Sequence, residues 1–267
     1  GRVNATPNIA VTANTATSRV FDGDGGMGHL PSWKAANCVA DAAAELGVAA
    51  ATTGNHFHFG GAGKYSRVAA QRDCIGLAVS SHRWDRQGMI HAGATGGSPL
   101  SIAIPAGADV PPLVIDMGTR FLPWDEALFE KMPYAYFKDL GLGSVAHALG
   151  GVLAGIWQPG RIPPTSKWES NQGGFFAAFQ IAAFGPVEEF HAEMARFVTE
   201  CRKLEPFPGH EIAELPGGIE WRNEAEFSRH GIPVSPRHQA SLQDIADELD
   251  VNTPFDQYEN TRFGAGS

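Results

Sequence analysis

Two histidines stand two residues apart in Gly54-Asn55-His56-Phe57-His58-Phe59-Gly60-Gly61-Ala62-Gly63, between an apolar run and a stretch of helical spacing. An imidazole changes protonation near neutral pH, with an unperturbed pKa of about 6.5, so a histidine on an open loop suits acid/base work. The loop's chemistry allows three readings. In one, a histidine protonates a carbonyl or imine during a reduction. In another, His56 and His58 share one face of extended backbone and bind a metal, completed by His82 at the end of the next apolar run and by Asp116. In the third, both rings close the loop with hydrogen bonds.

A second pattern, Gly23-Asp24-Gly25-Gly26-Met27-Gly28, has the G-x-G-x-x-G spacing that lets backbone approach a pyrophosphate at a helix N-terminus. Asp22 and Asp24 would set two carboxylates beside that pyrophosphate, and His29-Leu30-Pro31 lengthens the loop before the helix. A plain turn is the better reading.

The elements around these loops alternate. Arg19-Val20-Phe21 reads as a short strand, 31–46 as an Ala-rich helix with Pro in its first turn and Gly47 after its end, and 48–53 as a strand. A helix over 64–72 and strands over 75–80, 100–104 and 113–117 follow, the order of an α/β protein. Farther on, helices are expected at 124–132 and 142–156, separated by an aromatic loop around Tyr134, Tyr136 and Phe137. A strand over 175–181 and an amphipathic helix over 187–204 come next, with shorter helices at 219–230 and 241–249. The expected organisation is one α/β domain over 1–252, its nucleotide-binding portion around 75–220, and an extended arm over 253–267.

With 20 Lys+Arg against 29 Asp+Glu the net charge is −9, and no basic cluster offers a surface to nucleic acid or anionic lipid. No apolar run approaches the ~18 residues of a membrane span. Cys38, Cys74 and Cys201 are odd in number and far apart, which points to free buried thiols and, with no leader in view, to a cytoplasmic protein. A chain opening on Gly1 reads as processed or as a fragment.

The order of motifs resembles the malate/L-lactate dehydrogenase family, a non-Rossmann group that includes ureidoglycolate dehydrogenases and cyclic-imino-acid reductases. The resemblance runs from Arg19–Gly28 through His58-Phe59-Gly60, Ile75-Gly76-Leu77-Ala78, Gly96-Gly97-Ser98-Pro99 and Val114–Thr119. It continues through Lys138–Leu142, Gly150–Gly155, Asn171–Phe176 and Leu215-Pro216-Gly217-Gly218 to Gly231-Ile232-Pro233-Val234. It implies a mixed-sheet α/β fold of that family's type, NAD or NADP as cofactor, a homo-oligomer, and hydride transfer between nicotinamide and a 2-oxo acid, 2-hydroxy acid or related imino acid. Residue by residue, it makes His58 the catalytic histidine, which Asn55 or Ser81 would orient. Asp116, Met117, Gly118, Lys138, Pro216, Gly217 and Gly218 become cofactor contacts.

The chain departs from the family pattern on the substrate side. It begins after the family's N-terminal helical segment, so either a companion polypeptide supplies that part or the substrate site is incomplete, and the stretch 120–137 is short. Arg83, Arg86 and Arg120 are candidates for bidentate capture of a substrate carboxylate. The alternatives to a dehydrogenase are a metal-dependent hydrolase or lyase on His56, His58 and His82, and a non-catalytic subunit that keeps the fold.

Overall fold

A computed structural model describes residues 2–84 and 97–255; Arg86, Gly96 and residues 256–267 of the expected arm lie outside them. The described residues fall into two compact units that divide after Gly217.

The first unit is built on a seven-stranded sheet in the order β1-β2-β3-β7-β4-β5-β6. Its strands are β1 (Ala10–Asn14), β2 (Ser18–Gly26), β3 (Val48–His56), β4 (Cys74–His82), β5 (Pro99–Ile104), β6 (Leu113–Gly118) and β7 (Gln172–Gln180). Only β2 and β3 pair in parallel; every other neighbouring pair is antiparallel. The sheet is therefore mixed, as expected, and not the parallel sheet of a dinucleotide-binding Rossmann fold.

Two helices cover one face, α1 (His29–Leu46) and α2 (Gly63–Ala70). Small residues let them sit close: Ala35, Ala36, Ala40 and Ala43 of α1 pack with Ala49, Ala51 and Ala78 of the sheet, and Phe21, Phe59, Tyr65 and Phe176 fill what remains. β4 shows the period of two directly. Cys74 and Ala78 face this cluster, while Leu77 and Val79 face a second one with Leu100, Ile102, Leu142 and Ala146 on the opposite side. That second face is covered by α4 (Pro133–His147), which follows α3 (Glu126–Lys131) and runs on into a π-helical turn over Ala148–Leu153. The helix α5 (Val187–Arg202) completes the unit.

Three expectations change. Tyr134, Tyr136 and Phe137 lie within α4 and not in a loop. Pro133 occupies the first helical position, where its missing N–H costs nothing, and so starts a helix where the aromatic run hid one. The helix expected over 142–156 thus begins earlier, and its last part widens. The widened turn lies against β4, where a side chain at Gly150 would come within 2.8 Å of the Ser80 backbone. Finally, Gly23–Gly26 belongs to β2, with a bulge between Asp22 and Gly26, and is not a free turn.

The second unit holds α6 (Gly218–His230) and α7 (Pro236–Glu248). The Ser235 hydroxyl accepts from His238 N–H at 3.3 Å, capping α7. No helix among the described residues is long and apolar enough to cross a membrane.

Candidate functional site

Since β3 and β4 both pair antiparallel with β7, they run the same way and end together. His56 and His82 are each registered on Gln172, and Thr53 and Ser80 each on Gly174. β6 ends at the same edge, because β5 reverses the direction once between β4 and β6. Strand ends thus bring His58, Ser81, Asp116 and Thr119 to one end of the sheet, the end at which ligands of open α/β sheets are bound.

The two histidines of the loop have different fates. His56 is fully buried; its Nε2 lies 2.9 Å from Thr53 Oγ1 and its Nδ1 2.7 Å from the Phe57 carbonyl. The carbonyl can only accept, so Nδ1 carries the hydrogen and Nε2 accepts from the threonine hydroxyl. Burial pushes this ring down to about 4, ahead of the Phe57 hydrogen bond, which works the other way. Neither nitrogen is left for a metal, so the metal reading of His56, His58 and His82 fails at His56; among the described residues no three His, Cys, Asp or Glu groups are placed to hold an ion.

His56 has a consequence for stability. Its proton affinity is lower folded than unfolded, so between about pH 6.5 and pH 4 the unfolded chain binds the proton that the folded one refuses. Stability present above pH 6.5 is therefore lost as the pH falls, by about 3 kcal/mol over the window. Urea unfolding at pH 7.5 and pH 5 checks this. The fall should be smaller in His56→Gln, and an equal fall in both proteins would assign it to other groups.

The glycine-rich bulge is held from within. Asp22 Oδ1 accepts from Asn55 Nδ2 at 2.8 Å and from Asp24 N–H at 2.7 Å, and Asp24 Oδ2 accepts from Asn4 Nδ2 at 2.9 Å and Asn8 N–H at 3.1 Å. The left-handed Gly25 (φ +68°) is capped by Trp168 where a side chain would stand. These carboxylates bind their own loop. Asn55 belongs to this network, its Oδ1 accepting from Ser170 Oγ at 2.6 Å, and does not orient His58.

His58, by contrast, is exposed. Gly60 N–H donates to its Nδ1 at 3.2 Å, so the neutral ring carries its hydrogen on Nε2. The loop beneath is anchored by Tyr65, whose buried hydroxyl donates to the Phe59 carbonyl. Burial raises that phenol, which therefore stays a donor. Tyr65→Phe strands a buried carbonyl and is expected to cost about 1–2 kcal/mol in urea unfolding; no loss would mean that the loop holds itself. His29, the first residue of α1, has its ring centroid 6.2 Å from that of His58, and its Nε2 converges with Lys64 Nζ over Gly60. Both were missed from sequence: His29 was read as loop, and Lys64 as an ordinary helix start.

Ser81 is turned elsewhere. Its hydroxyl accepts from Ser98 Oγ at 2.9 Å and lies 2.9 Å from His147 Nδ1. His147 Nε2 in turn accepts from Trp157 Nε1 at 3.3 Å, which puts the histidine's own hydrogen on Nδ1. Trp84 stands edge-on to the ring at 4.1 Å between centroids. Burial first, and His82 second, lower the proton affinity of His147, and a neutral ring suits this arrangement. Ser81 is therefore bound to the α4 side of the sheet and does not orient His58.

Of the candidate carboxylate binders, Arg83 is engaged by the backbone carbonyls of Ile156 (2.7 Å) and Ser170, which removes it from the substrate role. Arg120 is exposed just after β6.

The cofactor candidates divide similarly. Asp116 Oδ2 accepts from Gly63 N–H at 2.9 Å, so its carboxylate caps the start of α2. Pro216 and Gly217 dock along the outer edge of β6: Val114 N–H donates to the Pro216 carbonyl at 2.9 Å, and a side chain on Gly217 would meet Val114 Cβ at 2.9 Å. That turn is covered by the strand. Gly218 opens the second unit. Lys138 is exposed on α4, its Nζ 5.5 Å from the Tyr134 ring centre, and Met117 is half-buried. Among the described residues, a side chain at Gly118 would find only the Gly97 carbonyl, 3.9 Å away, and one at Gly97 nothing within 4 Å. Between them Thr119 N–H donates to the Ser98 carbonyl at 2.8 Å, while the fully buried Thr119 hydroxyl has no partner among the described residues. Open glycine backbone beside an unsatisfied hydroxyl fits a flat, polar ligand.

Comparison with known proteins agrees with the resemblance. The sequence model of the family described as malate/L-lactate dehydrogenase matches residues 1–128 and 125–243. The chain is 24% identical over 296 residues to malate dehydrogenase of Pyrococcus abyssi, covering 94% of this chain and 80% of that protein. It is 26% identical over 289 residues to L-sulfolactate dehydrogenase of Methanocaldococcus jannaschii, covering 94% and 81%. The solved structure of malate dehydrogenase from Pyrococcus horikoshii superposes with a TM-score of 0.77 at 24% identity, over 94% of this chain and 79% of that one.

Proposed function

Since this chain belongs to the malate/L-lactate dehydrogenase family of oxidoreductases, we propose that it moves a hydride between NAD or NADP and a 2-oxo acid, 2-hydroxy acid or related imino acid, with His58 as the proton donor and acceptor. The observation that carries this reading is the division of labour in the histidine loop: His56 is buried and bonded through both nitrogens, while His58 is exposed with Nε2 free of the loop's own hydrogen bonds.

The nicotinamide cofactor supplies or takes up the hydride. Gly97, Gly118 and the Thr119 hydroxyl are the residues that would hold it, and Lys138 is the cation for its phosphates. As the imidazolium, His58 donates a proton from Nε2 to the substrate's carbonyl oxygen or imine nitrogen in the reducing direction and is left as the neutral ring; in the oxidising direction the neutral ring takes a proton up at Nε2. Both steps need a hydrogen on Nδ1, so that nitrogen has to leave the Gly60 N–H when the ring works. The working form is proposed to be a homo-oligomer that also takes up a companion polypeptide.

The test follows NADH and NADPH absorbance with the oxo acids corresponding to the family's and relatives' names, oxaloacetate, sulfopyruvate and pyruvate, and with a cyclic imino acid. Native mass spectrometry with each nucleotide reports cofactor and companion chain together. Oxidation of either nucleotide by one of these acids is the expected result; none by any of them, with no nucleotide bound, would overturn the proposal.

A further inference from the structure

We propose that His29 and Lys64 together seat the substrate's carboxylate beside His58; this deepens the dehydrogenase reading and rests on it for the identity of the anion. Lys64 lies in the first turn of α2 and His29 begins α1, so two separate helices deliver the pair to the histidine loop. His29 Nε2 and Lys64 Nζ are each 2.9 Å from the point where a side chain would leave Gly60, and so stand at most twice that distance apart. Gly60 has φ +83° and no side chain to fill the space between them. All three basic residues are exposed.

In a chain with net charge −9, such a convergence of basic groups calls for an anion. No carboxylate among the described residues pairs with either. Asp116, which faces this loop, has its Oδ2 on Gly63 N–H at 2.9 Å. Burial, then Lys64, then His58 depress the proton affinity of His29, and burial depresses that of Lys64. An anion that accepts from both nitrogens removes the repulsion, so binding draws a proton onto His29. In a 2-oxo acid the carbonyl carbon is bonded directly to the carboxylate carbon. A carboxylate held over Gly60 therefore leaves the keto oxygen within reach of a ring 6.2 Å from that of His29.

The test uses the full chain with oxalate, a dicarboxylate that resembles a 2-oxo acid and is not reduced. Calorimetric titration near pH 7, in buffers of different ionisation heat, should show proton uptake with the wild type. Lys64→Gln and His29→Gln should each weaken oxalate about 10-fold or more, and His29→Gln should abolish the uptake. In turnover the same variants should raise KM for the oxo acid by a like factor, with the nicotinamide KM unchanged. Lys34→Gln, on α1 away from the loop, should change neither. Unaltered oxalate affinity in both loop variants would overturn the inference. A wild type that binds oxalate with proton uptake yet reduces none of the acids would instead overturn the dehydrogenase reading and keep the anion seat.

Discussion

His58→Ala is expected to lower kcat by about 10²–10⁴-fold, the usual contribution of a positioned acid/base group, while leaving nicotinamide affinity unchanged. His58 is exposed, and among the described residues its ring is hydrogen-bonded only by Gly60 N–H at 3.2 Å; the Gly28 N–H bond to its backbone carbonyl survives truncation, so its removal leaves the loop's anchors standing. Those anchors are the Tyr65–Phe59 bond and the buried His56. Thermal stability should therefore remain near wild type, which separates a lost catalyst from a lost fold. Because the missing group is an imidazole, added imidazole should restore part of the rate, and the restored rate should follow the buffer's free base or its cation according to the direction assayed. His56 predicts the opposite pattern: substitution there should cost stability first and activity only with it. Wild-type kcat in His58→Ala would remove His58 from the chemistry, whatever the family resemblance implies.

These two histidines show what was legible in sequence. Their type, spacing and place after an apolar strand identified the loop, and the motif order singled out His58. The choice between a metal pair and one working ring depended on Thr53 and the Phe57 carbonyl, contacts that no spacing rule announces. The strands around them were readable because β-branched and small apolar residues mark them, and most bounds agree to within two or three residues. β1 was missed, since Ala10–Asn14 is exposed throughout and lacks an apolar face to betray it. The first part of α4 was missed because aromatic residues fit strand, loop and helix alike, and what decides is Asp139, whose Oδ1 accepts from Phe121 N–H and ties the helix to the chain leaving β6.

Roles inferred from resemblance met a further obstacle. Asp116 and Gly217 occupy family positions, yet their local contacts are structural: one caps α2, the other packs on Val114. A motif fixes where a residue stands in the chain, while the group it serves depends on which element approaches it. The family match itself breaks into two stretches that meet at residues 125–128, inside the segment expected to be short. The substrate side is therefore where this chain must find its own contacts, and His29 and Lys64 lie outside the motif positions to which the resemblance gave a role.

The largest stability effect is expected from Gly76→Ala, a change of one methyl group. Gly76 faces α2 from the middle of β4, and a Cβ there would lie 2.1 Å from the Ser66 carbonyl oxygen and 2.9 Å from Ala69 Cβ. The first contact is helix backbone and cannot swing aside, so α2 as a whole has to move off the sheet. It is poorly placed to do so. Ser66 Oγ bonds Ser101 Oγ at 2.8 Å on β5, Gly63 N–H is fixed to Asp116 on β6, and Val68 and Ala69 are packed in the core. Overpacking of this kind costs about 1–3 kcal/mol, and with three anchors resisting, the expectation is about 3 kcal/mol. For a unit of this size that corresponds to a Tm lower by about 6–12 °C. The displacement would also carry Tyr65 and Lys64 with it, so KM for the oxo acid should rise even in molecules that stay folded. Gly118→Ala is the contrast, since its methyl meets only a carbonyl at 3.9 Å, and stability should stay within about 0.5 kcal/mol of wild type. If urea unfolding finds Gly76→Ala as benign as Gly118→Ala, then α2 rides on β4 with slack, and the close helix–sheet contact no longer explains how the anion seat keeps its place beside His58.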